Sequence, residues 1–311
     1  MPTAVETERL VLPTGSPVAE VATARRRLMP DIQTIGLDLS PSEHPLSYPG
    51  RLVTSNCLLL GSWLYVLHVT PGLPLADWKV QHDGGPLPPM AADRLGAALS
   101  VAGAPPMARR SPVVAVGSNA APGQLAYKYR CHSYHNIIPI THVMASKVVA
   151  AHSAHVSRAG YIPFIPVFTE GAQRTRLNVL WLDDEQLRRM DDTEPNYTRV
   201  IIESPAVGAQ LDSGQPLESF ALYRGRWGAL CIEPGASPMM ATSQAEVYSF
   251  LSTRQWFRSI VLELRDGPEC AAAALAHDET RRNQIRHELA LRGFVATDRL
   301  SDIARCAAGY R

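Results

Sequence analysis

The sequence predicts an α+β fold, with strands gathered in the middle of the chain and helices toward its end. Three observations predict it. Between residues 111 and 235, short β-branched and apolar runs recur between turn residues. From 243 to 293, apolar residues follow helical spacing between recognisable cap signals. Before 111, Pro and Gly punctuate the chain and a single hairpin signal stands out. The 311 residues divide accordingly. Residues 1–110 form an N-terminal extension, 111–235 a strand-rich unit and 236–311 a helical segment.

Each element has a local cause. Residues 1–45 carry five prolines (Pro2 aside, Pro13, Pro17, Pro30, Pro41 and Pro45) and read as an extended arm with a short helix over 20–28. Residues 51–69 read as a hairpin, two apolar runs about the Gly61-Ser62 dipeptide. It is expected to pack on the central unit or extend its sheet, because an isolated hairpin is marginal in water. Residues 90–101 place Leu95, Ala98 and Leu99 on one side of a helix. At 111–119, SPVVAVGSN is a buried strand running into a Gly-Ser-Asn turn. A helix over 122–129 follows, with Pro122 at its start. Strands are expected over 136–144, 146–156, 163–168 and 177–182. Asp183 or Asp184 then caps a helix carrying Leu187 and Met190. Further strands follow at 197–204, 220–223 and 229–232. Ser243 and Glu246 form a capping-box pattern. A helix is expected over 256–264. Pro268 opens a last helix that runs to Gly293.

Composition excludes several classes. Hydrophobic residues make up 46% and charged residues 19%, a core-forming balance. Net charge is +1, from 30 basic and 29 acidic residues, so no global field attracts nucleic acid. The C-terminal segment mixes ten arginines with eight acids from 254 onward, the pattern of a solvated helix face. The longest apolar run, 57–69, is broken by Gly61, Ser62 and His68 and is too short for a membrane span. Five scattered cysteines without a C-x-x-C pair argue against zinc and against a disulfide framework. No signal peptide is visible. These features together predict a cytoplasmic protein whose partner is a small molecule, not nucleic acid or membrane. They leave its oligomeric state open.

The chemistry concentrates at Val116-Gly117-Ser118-Asn119. A strand that runs into such a turn before a helix aims backbone N–H groups at one spot, which suits an anion or oxyanion. This segment is AVGSN at 115–119. Farther on come NVLWLDDEQLRRMDDTE at 178–194 and NYTRVII at 196–202. Together, in this order and spacing, they resemble the gamma-glutamylcyclotransferase-like family over about 111–235. The resemblance implies a small, mostly antiparallel β-barrel with helices packed around its opening. It implies cleavage of a gamma-glutamyl-type amide by internal cyclisation: the substrate's α-amine attacks its γ-carbonyl, giving 5-oxoproline and a free amine. That chemistry needs no metal and no organic cofactor. It needs oxyanion donors, assigned by the resemblance to the 117–119 turn, and a carboxylate to accept a proton.

The chain departs from the family pattern twice. The resemblance implies an acidic base just before the VLWL strand, but that position falls near Arg174. The nearest acid is Glu170, the candidate catalytic base. The family's tyrosine before the glycine is Val116 here, so a phenol hydroxyl is missing from the pocket edge. Substrate-binding candidates are Val116, Gly117, Ser118, Asn119, Arg174, Tyr197 and His155. Arg174, with Arg176, would suit an anionic ligand. Glu194 and Tyr197 match family positions, with the helix-to-strand turn as Glu194's expected work.

Two alternatives stay open. One is a non-catalytic protein that binds a small carboxylate or amide on the same fold. The other is a serine-dependent amide hydrolase using Ser118, although G-S-N lacks the second glycine of a nucleophile elbow. The pairs His152/His155 and His132/His135 share a three-residue spacing without an evident third ligand, so no metal site is assigned.

Overall fold

The computed structural model describes residues 31–82, 85–130 and 136–306. The arm before residue 31, with its expected helix, and the His132/His135 pair lie outside the described residues.

The hairpin signal becomes β1 (Cys57–Leu60) and β2 (Trp63–His68), joined through Gly61 at φ +60°. β3 (Lys79–Val80) pairs with β2. Helix α1 (Leu95–Val101) starts later than the apolar pattern suggests. Arg94 is held in a bridge to Lys79, and the Leu95 amide donates to the Trp78 carbonyl, so the chain turns helical only after these contacts. β4 (Ser111–Ala115) leads through the Gly117 turn to α2 (Pro122–Tyr129). β5 (Ile137–Ala145), β6 (Val148–His152), β7 (Phe164–Phe168) and β8 (Thr175–Leu182) follow. α3 (Asp184–Asp192) is capped by Asp183, whose side chain accepts from the Glu185 and Gln186 amides while Gln186 returns the bond. Beyond it come β9 (Tyr197–Glu203), β10 (Gln210–Leu211), β11 (Ser219–Gly225) and β12 (Ala229–Leu230).

The C-terminal part holds α4 (Gln244–Ser252), α5 (Gln255–Ile260), α6 (Pro268–Ala276) and α7 (Glu279–Leu291), then β13 (Val295–Ala296) and β14 (Ala304–Cys306). Ser243 and Glu246 close the capping box of α4. The single helix expected from Pro268 to Gly293 is two helices. Asp278 interrupts the run, and its carboxylate accepts from the Arg281 amide, which starts α7 afresh.

The strands form a mixed α+β arrangement. One sheet runs β14-β9-β11-β4-β8-β5-β1-β2-β3, with β10 also on β5. β11 and β4 are parallel and the other pairs antiparallel. The expected closed barrel is not found among the described strands. β1 to β3 continue the sheet past β5, and β14 continues it past β9, so neither edge meets the other. β6 and β7 form a separate pair. β5 and β7 are buried on both faces, which is why their sequences show continuous apolar runs instead of alternation.

One buried ion pair ties α3 to the sheet. Arg110, at the foot of β4, lies 3.6 Å from Asp183. It also donates to the Trp181 carbonyl and the Gln186 side chain. The far end of α3 is thereby set against α2, and that junction frames the cavity.

Candidate functional site

A cavity of about 560 Å³ opens where the 117–119 turn, α2, the end of α3 and the 155–164 segment meet. Val116, Gly117, Ser118, Asn119, His155 and Tyr197 all line it. Glu170 and Arg174 do not. Glu170 is 62% exposed and pairs with Lys147 at 3.0 Å. Arg174 is exposed and donates to the Gln210 side chain. Both stand on the turn between β7 and β8, which enters β8 at the Gly117 end of β4, where Asn178 is opposite Ala115, but both side chains face solvent instead of the cavity.

The carboxylate in the cavity is Glu194, just past α3 and 14% exposed. Its Oε1 accepts from the Lys128 ammonium and, at 2.9 Å, from Asn119 Nδ2. Lys128 also donates to Asn119 Oδ1 at 2.7 Å and to the Met190 sulfur. The three ammonium hydrogens thus have three protein partners. Among the described residues no protein partner engages Oε2. The Asn of the turn therefore orients the acid, and Gly117 and Ser118 line the same space.

Tyrosines make up much of the remaining wall. Tyr197 donates to the Phe164 carbonyl at 3.2 Å. Tyr223 donates to Asp191, which Arg199 also engages. Tyr161 stacks on Tyr48, with ring centroids 4.3 Å apart. Burial is the main reason the Tyr48, Tyr161 and Tyr197 phenols stay protonated far above the ordinary range, and the Glu194 charge adds to it.

Tyr48 is the residue that sequence reading missed. It belongs to segment 38–50, far outside the resemblance, and is 4% exposed. Its oxygen accepts from the Phe164 amide at 2.7 Å. A Cβ on Gly117 would stand 2.3 Å from that oxygen, so only glycine permits this approach. α2 holds the segment in place. Ser40 donates to Gln124, which donates to Ser42, and the Asp38 backbone packs where a side chain at Gly123 would be. A Tyr-Pro-Gly triplet in a proline-rich arm gives no local sign of this placement.

His155 also lines the cavity, its ring edge-on to Tyr197 with centroids 6.4 Å apart. Its Nδ1 is 2.7 Å from Ser153 Oγ. Burial, with the Arg286 charge added, pushes its pKa down to about 3, so the imidazole is neutral at ordinary pH. His152 bonds Thr242 instead, so the two imidazoles do not converge. Among the described residues no group of three or more His, Cys, Asp and Glu side chains could hold a metal. No histidine is bonded to Ser118 among them either. No helix among the described residues is long and apolar enough to cross a membrane.

Charge around the mouth is one-sided. Arg130, Arg158 and Arg189 line the cavity with Lys128, against the single carboxylate of Glu194. The chain as a whole carries only +1, so this positive field is local.

No family model matches the chain, and no curated protein is similar to it. Two solution structures from Arabidopsis thaliana, At5g39720.1 and At3g28950.1, are similar to about half of it. Each is 14% identical over 51% of this chain, spanning 93% and 86% of its own length, with a TM-score of 0.30. A likeness this slight carries no weight for fold or function.

Proposed function

We propose that the cavity cleaves a gamma-glutamyl-type amide by internal cyclisation, with Glu194 in place of Glu170 as proton acceptor. One observation carries this. Glu194 sits beside the Gly117–Asn119 turn with one oxygen fixed by Lys128 and Asn119 and the other without a partner among the described residues. In the reaction the substrate's α-ammonium gives a proton to Oε2, and the freed amine attacks the γ-carbonyl carbon. A new C–N bond closes the five-membered ring, and the carbonyl oxygen takes the negative charge opposite the turn amides. The old C–N bond then breaks as Glu194 returns that proton to the departing nitrogen, and the ring nitrogen's extra proton passes through the freed Oε2 to the released amine, which leaves as an ammonium. Enclosure by the tyrosines favours the folded, near-attack conformer of the substrate. The cationic mouth suits a substrate that carries a carboxylate.

The test is release of 5-oxoproline from a panel of gamma-glutamyl amides. Turnover that survives Glu194→Gln would remove Glu194 from the mechanism. A second reading has its own support: Lys128 already balances the Glu194 charge, as a purely binding pocket would require. Thermal stabilisation by small carboxylates, without turnover of any amide in the panel, would favour it.

A further inference from the structure

We infer that the Tyr48 hydroxyl donates a hydrogen bond to the acceptor oxygen of the molecule bound in the cavity. Segment 38–50 is then a working part of the site. In its catalytic form the inference rests on the preceding proposal, since the acceptor would be the γ-carbonyl oxygen.

The ring cannot turn away. It is stacked on Tyr161 and meets the Phe164 ring edge-on, with centroids 5.0 Å apart. The oxygen is fixed as well, because the Phe164 amide donates to it and Gly117 packs against it. Its own hydrogen is the unassigned group. Tyr129, Tyr197, Tyr223 and Tyr248 each donate to a protein oxygen. Tyr48 has no such acceptor among the described residues, and it lines the cavity. A buried hydroxyl with a donor already on its oxygen is left to give its hydrogen to whatever fills the space.

The chemistry is complementary to that of Glu194. Burial, then the neighbouring Tyr161 and Glu194, keep the phenol in its O–H form, although amide hydrogen bonds pull the other way. The site then offers an ionisable acceptor and a fixed neutral donor to the same ligand. The donor comes from the N-terminal extension and stands against Gly117, where Val116 supplies no hydroxyl.

Tyr48→Phe tests this, because it removes the hydroxyl and keeps the ring. The probes are 5-oxo-L-proline and L-glutamine, each with a carbonyl acceptor, titrated by calorimetry alongside turnover of a gamma-glutamyl amide. The expected result is a melting transition lowered by a few degrees, because the Phe164 amide loses its acceptor, with probe affinity lowered about 5- to 10-fold and kcat lowered roughly 100-fold with little change in KM. Equal affinity and equal kcat would overturn the inference while leaving the proposed reaction standing. Weaker probe binding in a protein that turns over no amide would uphold the donor and sink the reaction. Failure of the wild type to bind either probe would sink both. If Tyr48→Phe does not fold, the wild type's tyrosine ultraviolet difference spectrum on adding 5-oxo-L-proline decides. A shift supports the donor, and a flat spectrum at saturation rejects it.

Discussion

The turn between β7 and β8 and the turn between α3 and β9 are alike in sequence. Each is short and polar, and each holds one glutamate paired with a lysine. Glu170 and Lys147 form their pair in solvent, at 62% and 38% exposure. Glu194 and Lys128 form theirs at 14% and 7%, facing a cavity. The difference lies in what surrounds the turn. The first faces water beyond the end of β8. The second follows a helix anchored through Asp183 and Arg110 and is closed in by α2, Asn119 and the tyrosines Tyr48, Tyr161, Tyr197 and Tyr223. A carboxylate becomes useful through enclosure and orientation, not through its register before a strand.

The largest separation between the two turns should appear in turnover. Glu194→Gln keeps the shape and removes the proton acceptor, so 5-oxoproline release should fall about 10²- to 10⁴-fold. Glu170→Gln should leave the rate unchanged. Steady-state kinetics of the two variants side by side reads the contrast, and a loss confined to Glu170→Gln would reverse it.

Stability should separate the lysines next. Lys128→Met strips the buried Glu194 carboxylate of its ammonium partner, a change that costs about 3–5 kcal/mol when an ion pair is enclosed. Urea denaturation measures it. A cost below about 1 kcal/mol would mean that water reaches Glu194 freely.

Acid should weaken the packing around segment 152–155, whose His155 lines the cavity. His152 and His155 have folded pKa values of about 4 and about 3, against an ordinary 6.5, with burial the leading cause in both. The unfolded chain therefore binds these protons first as pH falls. Their contribution to stability is complete above pH about 6.5 and is lost progressively down to about 4 and about 3. The slope approaches about 1.4 kcal/mol per pH unit for each imidazole. Melting temperatures measured from pH 7.5 to 4.5 should decline, and less steeply in His155→Asn. A flat profile would place both rings in solvent.

Much of the fold was legible because its signals are local. Pro122, the Asp183 cap and the Ser243 box each act within one helical turn, and the apolar runs of β5, β7 and β8 need only their own residues. The α6–α7 break was hidden because Asp278 sits in an otherwise helical run. The site was half legible. Gly117, Ser118 and Asn119 announced themselves as a turn. Glu194 was visible too, yet its place in the cavity depends on Lys128, 66 residues earlier in the chain. Tyr48 was invisible, since its oxygen meets an amide 116 residues away. Pairings at that separation are decided by packing, which no spacing along a single sequence encodes.

The smallest expected effect completes the contrast between the two turns. A double-mutant cycle across Lys147→Met and Glu170→Gln should return a coupling of only about 0.2–1 kcal/mol. Both side chains are long and wet, and holding them together costs rotamer freedom that the solvated attraction barely offsets. Added salt should shrink the coupling further, because an exposed pair is screened. The same cycle across Lys128→Met and Glu194→Gln should resist salt, since its charges stand behind the tyrosine wall. Equal salt sensitivity in the two cycles would show that the cavity does not shield Glu194. The orientation given by Lys128 and Asn119 would then be its sole advantage over Glu170.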